Sequence, residues 1–121
     1  MGRIAPMTRY NWEAMEAEPL NPLLSRKVIH TRHLTIARME LRRGAVVPEH
    51  SHANEQVSMV ERGVLRFLID GREHVVRAGE CLAIPPHTPH RVDALEDSVA
   101  VDVFTPPRED WIRGDDTYLR R

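Results

Sequence analysis

The sequence predicts an all-β protein, a sandwich or barrel of short strands. Short apolar or alternating segments recur from residue 27 onward, and turn residues separate them. These separators are Gly44, Gly63, Asp70-Gly71 and Ala78-Gly79. No segment with helical period and length lies between the strands, which argues against parallel βαβ units.

The composition indicates a single soluble domain. The chain has 121 residues and a formal net charge of -1, and it has no basic block that would favour nucleic acid binding. The single cysteine, Cys81, excludes an intrachain disulfide, and we expect it to pack as a small apolar side chain in a reducing compartment. The first residues lack the apolar core of a signal peptide, and no apolar run reaches membrane-spanning length. A cytoplasmic location without membrane contact is the expectation.

Residues 1–26 are predicted to form an N-terminal arm. Asn11 is placed to cap one or two helical turns over residues 11–17, with Trp12 on one side. Pro19 and Pro22 are expected to end this segment, because proline disrupts regular backbone hydrogen bonding.

The predicted barrel spans residues 27–105. We expect its strands at residues 28–30, 33–41, 46–52, 56–61, 64–69, 74–76, 81–84, 90–92 and 98–104. Asp70-Gly71 predicts a tight hairpin, since this dipeptide suits the positive φ angles of a primed turn. The charged tail, 106–121, is expected to pack on the barrel or on a partner subunit through Trp111, Ile112 and Leu119.

The strand at 98–104 is apolar on both faces, so we expect both to be covered. One face would line the barrel interior, and the other would meet a second sheet or a partner subunit. Asp102 is a carboxylate on this apolar strand, which is costly unless it is paired or functional. The non-functional interpretation of Asp102 is an ion pair with Arg38 or Arg66. A functional role would require the Asp102 carboxylate to face a cavity.

Two histidines stand two residues apart, at His50 and His52. On an extended strand such residues share a face, so both imidazoles could bind one divalent metal ion. Gln56 lies an even number of residues from both histidines and so shares their face of an extended strand. His90 is distant in sequence, and the fold would have to bring it to the same face. Together these residues predict a four-residue metal site. The alternative for His50 and His52 is a pair of polar residues on an exposed strand, and the alternative for Gln56 is an ordinary buried amide. We expect Glu55 to point away from the site. If the chain between His52 and Gln56 is irregular, Glu55 could replace Gln56 as a ligand.

These residues resemble two known motifs. Gly44, five residues, His50-x-His52, three residues, Gln56, six residues and Gly63 resemble the first cupin motif, G-x5-H-x-H-x3/4-E-x6-G. Gly79, five residues and Pro85, followed by His90, resemble the second, G-x5-P-x-G-x2-H-x3-N. The resemblance implies a single-domain double-stranded β-helix, or jelly-roll barrel.

The chain departs from these motifs at three positions. Gln56 stands where most cupins have a metal-binding Glu, His87 replaces a Gly, and Ala94 replaces the final Asn. The glutamine matters most, because a neutral ligand leaves the full positive charge of the ion in the site. That favours polarising an anionic substrate over redox cycling.

The segment Asp102-Val103-Phe104-Thr105-Pro106-Pro107-Arg108 narrows the resemblance to the KdgF-type cupins of pectin and alginate catabolism. Members of that group open the ring of 4,5-unsaturated monouronates to a linear 4-deoxy-5-keto sugar acid. The resemblance implies metal binding by the three histidines and Gln56. It implies that Asp102 and Arg108 act on the substrate, with Phe104 lining the pocket, and that Arg108 holds the substrate carboxylate.

Other functions and partners remain open at this point. The metal could be nickel, zinc, manganese, iron or cobalt, since all accept histidine-rich sites. The chain could be a metal-dependent dioxygenase on a small organic acid, against which Gln56 counts, or a sugar-acid binding domain without activity. A homodimer is expected, because the strand at 98–104 is apolar on both faces and a partner subunit could cover one of them.

Overall fold

The computed structural model describes residues 2–121 and confirms the all-β prediction. Ten strands carry the fold: β1 (Glu18–Asn21), β2 (Leu24–His30), β3 (Thr35–Leu41), β4 (Val46–His50), β5 (Glu55–Arg62), β6 (Val64–Ile69), β7 (Arg72–Arg77), β8 (Cys81–Ile84), β9 (His90–Ala94) and β10 (Ser98–Thr105). Helical structure is limited to α1 (Glu109–Arg113) and 3-10 turns at Trp12–Ala14 and Thr117–Arg120. None of the helices formed by residues 2–121 is long and apolar enough to cross a membrane.

The strands form two antiparallel sheets. One sheet has the order β1-β2-β3-β10-β5-β8, and the other has the order β4-β9-β6-β7. Alternating side chains of each strand fill the space between the sheets, with Leu65 and Phe67 from one side and Ala37, Met39 and Ala100 from the other. Because β10 lies between β3 and β5, its inward residues reach the centre of this interior.

The strands begin earlier than the sequence predicted. β1 covers Pro19 and β2 starts at Leu24, whereas the first strand was expected at 28–30. Proline was taken as an end to regular structure, but β1 is an edge strand, where a residue without an N–H group is tolerated. Asn11 caps the short helical turn as predicted, since its side chain accepts a hydrogen bond from the Glu13 N–H.

Two turns fix the register around β6. Asp70 and Gly71 both have positive φ, 52° and 71°, and they close the β6–β7 hairpin as predicted. Gly63 joins β5 to β6 with a φ of 87°. A Cβ there would lie 2.2 Å from Ser98 Oγ and 2.3 Å from the Asp97 carbonyl oxygen, so only glycine fits.

The prediction that Cys81 is buried is wrong. β8 is the other edge of the larger sheet, and Cys81 and Ala83 are exposed while Ile84 packs into the core. The alternation of this strand puts only every second residue inside, so an apolar run at an edge does not imply burial of each member.

The tail packs on the barrel. Trp111 and Leu119 are buried in the core as predicted, but Ile112 is 52% exposed, contrary to expectation. Ile112 lies next to Trp111 on a helix of a single turn, which presents only one face to the barrel. Asn54 donates from Nδ2 to the Pro106 and Pro107 carbonyl oxygens and so ties the start of the tail to the loop after β4.

Candidate metal centre

Three histidines converge between the two sheets. His50 ends β4 and His90 begins β9, and the two are direct cross-strand partners with ring centroids 4.2 Å apart. His52 lies just beyond β4, and its ring centroid is 5.6 Å from that of His50 and 5.2 Å from that of His90. The predicted return of His90 to the same place therefore occurs.

Backbone carbonyl groups orient all three rings. His50 Nδ1 lies 2.8 Å from the Pro48 carbonyl oxygen, and His90 Nδ1 lies 2.7 Å from that of Thr88. His52 Nδ1 is 3.1 Å from the carbonyl oxygen of Asn54. A carbonyl oxygen only accepts hydrogen bonds, so Nδ1 of His50 and of His90 carries the proton and donates it. Nε2 of these two rings therefore keeps a free lone pair, as a metal ligand requires. His52 has an acceptor oxygen at each ring nitrogen, since its Nε2 lies 3.0 Å from Gln56 Oε1, and its neutral ring can donate to only one of them.

Burial keeps these rings neutral. It lowers the pKa of His50 to about 3 and that of His52 to about 4, and it also lowers the pKa of His90. The carbonyl hydrogen bonds act in the opposite direction, while Arg108 lowers the pKa of each ring further. At neutral pH, protons therefore do not compete for the three Nε2 atoms.

The three imidazoles fit a divalent ion. The potential ligand atoms of His50, His52 and His90 all lie within 4.8 Å of one another, so one ion could reach all three. His90 Nε2 is buried and has no hydrogen-bond partner among residues 2–121. An unpaired buried polar atom is costly, and a bound cation would satisfy it.

Gln56 faces the same point. Its Nε2 donates to Ser58 Oγ at 2.9 Å, which turns Oε1 toward His52 Nε2 at 3.0 Å. With the His52 proton on Nδ1, where it donates to the Asn54 carbonyl oxygen, both of these facing atoms carry lone pairs. A cation between them would then bind both, so the amide fits a fourth ligand position. Glu55 is exposed and points away, as expected.

Asp102 faces the cavity that contains the histidines. It lines a space of about 40 Å³ together with Gln56, His90 and Phe104. Burial raises the pKa of its carboxyl to about 6, while a hydrogen bond with Ser58 and the charge of Arg108 act in the opposite direction. The alternative ion pairs are not formed, since Arg38 pairs with Glu61 and Glu40, and Arg66 with Asp93 and Glu73.

Arg108 is buried at the same cavity, with its charge compensated. Its Nε and Nη2 donate to the two carboxylate oxygens of Asp110 at 3.0 and 2.8 Å, and the guanidinium lies over the rings of Phe104 and Trp111. Burial opposes its charge, but Asp110 and Tyr118 together outweigh burial and raise the pKa of Arg108. None of these bonds uses Nη1. The Nε and Nη2 edge of the guanidinium, which could bind a carboxylate at two points, is therefore occupied by Asp110, and Nη1 is the guanidinium nitrogen that forms no hydrogen bond with residues 2–121.

Sequence reasoning missed several residues of this centre. Tyr118 stacks on His50, with centroids 4.6 Å apart, and Asn54 holds His52 through its carbonyl oxygen. Thr35 Oγ1 accepts a hydrogen bond from the Arg108 backbone N–H at 2.9 Å. Of the missed residues, only Ser58 could have been found from the sequence, because it lies two residues after Gln56 on β5 and so shares its face. The other three lie in the tail, in a loop or on a distant strand, where no spacing marks them.

The family model described as a cupin domain matches residues 37–105, more than half of the chain. The chain belongs to the cupin family. The matched region runs from β3 to the end of β10 and contains all three histidines, Gln56 and Asp102. This confirms the resemblance drawn from the two motifs.

Two curated relatives have names that indicate different activities. Acireductone dioxygenase 1 of Pectobacterium atrosepticum is 30% identical, and the match covers 84% of this cupin and 73% of that protein. Pectin degradation protein KdgF of Dickeya dadantii is 28% identical, with 78% of this chain and 89% of that protein covered.

Solved structures agree on the fold. KdgF from Halomonas sp. superposes with a TM-score of 0.82 at 28% identity, covering 88% of this cupin and 99% of that chain. An RmlC-like cupin from Shewanella frigidimarina gives a TM-score of 0.81 at 28% identity, covering 88% and 96%. The chain is therefore a small cupin resembling KdgF.

The second motif explains the backbone at His87. In this cupin His87 has a φ of 60°, in the left-handed region that the motif glycine favours. Its backbone N–H donates to the His52 carbonyl oxygen at 2.7 Å, which links the two motif loops. The left-handed turn is thus kept although the glycine is replaced.

Proposed function

We propose that this cupin is a metal-dependent enzyme of pectin or alginate breakdown that opens the ring of 4,5-unsaturated monouronates. The observation that carries the proposal is the meeting of three neutral imidazoles and Gln56 Oε1 at one point, beside a carboxyl with a raised pKa. The similarity to two KdgF proteins supports the substrate class.

His50, His52, His90 and Gln56 would hold one divalent transition metal ion. Such an ion, when bound, polarises substrate oxygen atoms and stabilises negative charge that develops on them. The four ligands are neutral, so the positive charge of the ion is retained and attracts an anionic sugar acid. The identity of the metal does not follow from this ligand set.

Asp102 would move the proton. Ring opening breaks the bond between carbon 1 and the ring oxygen, leaves carbonyl groups at carbons 1 and 5, and transfers one proton from a hydroxyl group to carbon 4. A carboxyl with a pKa of about 6 can take and return a proton near neutral pH. Phe104 and Arg108 line the same cavity, and Arg108 would contact the substrate carboxylate through Nη1.

The wall of the cavity has to move for a whole sugar ring to enter. A volume of about 40 Å³ holds only three or four water molecules at roughly 10–15 Å³ each. Arg108, Trp111, Tyr118 and Leu119 form the part of this wall that lies outside both sheets. We propose that this tail segment moves outward to admit the substrate and closes again once the substrate is bound.

An absorbance time course tests the function. Metal-loaded protein is mixed with 4,5-unsaturated galacturonate, whose conjugated double bond absorbs in the ultraviolet, and the signal should disappear faster than it does spontaneously. Asp102→Asn should lower kcat by roughly 10²–10⁴-fold with unchanged metal content, because the amide cannot exchange a proton. Full activity of this variant would refute the proton role, and no acceleration with any of several metals would refute the reaction.

The alternative is a metal-dependent dioxygenase on a small organic acid. The 30% identity to an acireductone dioxygenase favours it, and the neutral Gln56 counts against it. Oxygen consumption by iron-loaded protein with candidate acids would support this alternative. Saturable binding of a sugar acid without turnover or oxygen uptake would instead indicate a binding protein.

We further propose that the chain forms a homodimer through the outer face of the larger sheet. Val103 on β10 is the direct partner of Ile36 on β3 and Val57 on β5, and Val57 is the partner of Ala83 on β8. These four side chains form an apolar row on the face opposite Asp102, and none is fully buried. Such a row is typical of a protein interface.

A further inference from the structure

The C-terminal 3-10 turn at Thr117–Arg120 places an aromatic ring against the candidate metal centre. Tyr118 stacks on His50 with an interplanar angle of 30° and lines the same cavity as Asp102 and Arg108. The proposed function gives this residue no role beyond forming the wall. Its hydroxyl group is the feature that suggests one.

The hydroxyl of Tyr118 uses both of its acceptor positions within the protein. Arg108 Nη2 donates to it at 2.8 Å, and Trp111 Nε1 donates to it at 3.2 Å. Neither nitrogen can accept a hydrogen bond in return, because guanidinium and indole N–H groups are donors only. The phenol proton therefore has no acceptor among residues 2–121 and is available to a ligand in the cavity.

This position is held by several contacts. Leu119 is buried in the core, and its carbonyl oxygen accepts a hydrogen bond from Asn21 Nδ2 at 3.2 Å. Asp116, which precedes the turn, is buried and forms ion pairs with Arg26 and Arg120. The tyrosine thus approaches His50 from a defined element of the fold.

The charges around the hydroxyl favour an anionic oxygen as its partner. Two donors point at the phenol oxygen, one of them from a guanidinium, and this polarises its O–H bond. The Nε and Nη2 edge of the Arg108 guanidinium is bound to Asp110. Nη1 and the phenol proton therefore remain as donors for an incoming acid.

We propose that Tyr118 is a substrate-binding residue of this centre, whose hydroxyl donates a hydrogen bond to an oxygen of the acid bound beside the metal. The inference deepens the proposed function and rests on it for the substrate class. It assigns to the tail a direct contact with the ligand in addition to closure of the cavity.

Binding of stable carboxylates tests the proposal without turnover. Full-length protein is loaded with Co²⁺, and the cobalt absorption spectrum is followed during titration with D-galacturonate and with acetate. Tyr118→Phe keeps the ring on His50 and removes only the hydroxyl, and it should weaken the affinity for both probes roughly tenfold at unchanged cobalt content. Tyr10→Phe removes the hydroxyl of the other tyrosine, which is exposed, and is the matched control.

A second comparison separates direct contact from an effect through Arg108. In an Arg108→Lys background, Tyr118→Phe should still weaken probe binding if the phenol contacts the ligand, and it should have no further effect if it only orients Arg108. Equal probe affinity of Tyr118→Phe and the wild type would overturn the proposal, as would a wild-type spectrum that neither carboxylate changes. Probe binding that depends on Tyr118 without uronate turnover would refute the proposed reaction and leave this inference standing.

Discussion

At the scale of single residues, the candidate centre depends on where protons sit. Nδ1 of each imidazole lies within hydrogen-bond distance of a backbone carbonyl oxygen, a proton at that nitrogen leaves Nε2 free for a metal ion, and burial prevents a second protonation at neutral pH. Gln56 is turned by Ser58 so that its oxygen faces the same point. The buried and unpaired Nε2 of His90 is the atom that most requires a cation.

The proposed ligand role of His90 leads to a first prediction. His90→Ala should lower the affinity for Co²⁺ or Ni²⁺ by at least roughly tenfold, because it removes a buried Nε2 lone pair from the centre. Metal content after dialysis, measured by elemental analysis, gives the result, and circular dichroism reports on the fold. His87→Ala, an exposed histidine in the same turn, is the control and should retain its metal. Equal metal content in both variants would contradict the assignment.

A second prediction concerns acid stability of the metal-free protein. The folded pKa values of His50 and His52, about 3 and about 4, lie below the ordinary value of 6.5. Between these limits the unfolded chain binds more protons than the folded chain, so stability should fall as the pH falls from about 6.5 toward 4. Asp102 acts in the opposite direction, since its folded pKa of about 6 exceeds 3.8, but it is one group against these histidines.

Thermal melting of metal-free protein from pH 7 to 4.5 measures this dependence. His50→Gln should flatten the curve, because one group that takes up a proton only on unfolding is removed. His74→Gln at an exposed position serves as the comparison. A melting temperature that rises steadily as the pH falls would have the wrong sign for buried neutral imidazoles.

At the scale of elements, turns decide which residues meet. The bend at Gly63 brings β6 beside the start of β10, and the left-handed turn at His87 places its N–H on the His52 carbonyl oxygen. The site residues lie at the end of β4 and just beyond it, at the start of β5 and of β9, and in the interior of β10, so their positions depend on strand register.

Two glycines of equal backbone geometry allow this to be measured. Gly63 and Gly79 both have a φ of 87°, but a Cβ at Gly63 would overlap Ser98 and Asp97, whereas a Cβ at Gly79 meets nothing within 4 Å. Gly79→Ala should cost about 1–2 kcal/mol of unfolding free energy from backbone strain. Gly63→Ala should cost about 2–5 kcal/mol, since overpacking adds to that strain. Equal midpoints in urea would contradict the steric argument.

At the scale of the whole molecule, the smaller sheet covers the inner face of the larger sheet, and the candidate site lies between the two sheets. The outer face of the larger sheet carries an apolar row. The inner face presents Asp102 and Phe104 to the cavity, and the outer face carries the row formed by Ile36, Val103, Val57 and Ala83. Strand β10 therefore belongs both to the candidate site and to the proposed subunit interface.

The proposed dimer can be tested by a charge on this outer row. Val103→Glu should halve the mass measured by light scattering on a sizing column, because a carboxylate would be desolvated in the interface. Val75→Glu, on the exposed face of the smaller sheet, is the control and should leave the mass unchanged. A wild-type protein of monomer mass would refute the dimer.

The sequence predicted the parts of the molecule that depend on local spacing. The pair His50 and His52, the turn at Asp70 and the inward parity of Asp102 follow from strand alternation and turn chemistry. Cys81 was mispredicted because burial on an edge strand depends on what covers the sheet. Tyr118 was missed because its contact with His50 links the tail to β4, and no period in the sequence encodes that contact.

The orientation of the three imidazoles by carbonyl groups two positions away along the chain has a consequence for protein engineering. Each histidine and its orienting carbonyl form one short peptide unit: 48–50, 52–54 and 88–90. No distant carboxylate is needed to aim these rings, so the units could be transplanted as three tripeptides onto another antiparallel barrel whose strand ends meet in the same way. The natural chain would then serve as a template for building metal centres into inert scaffolds.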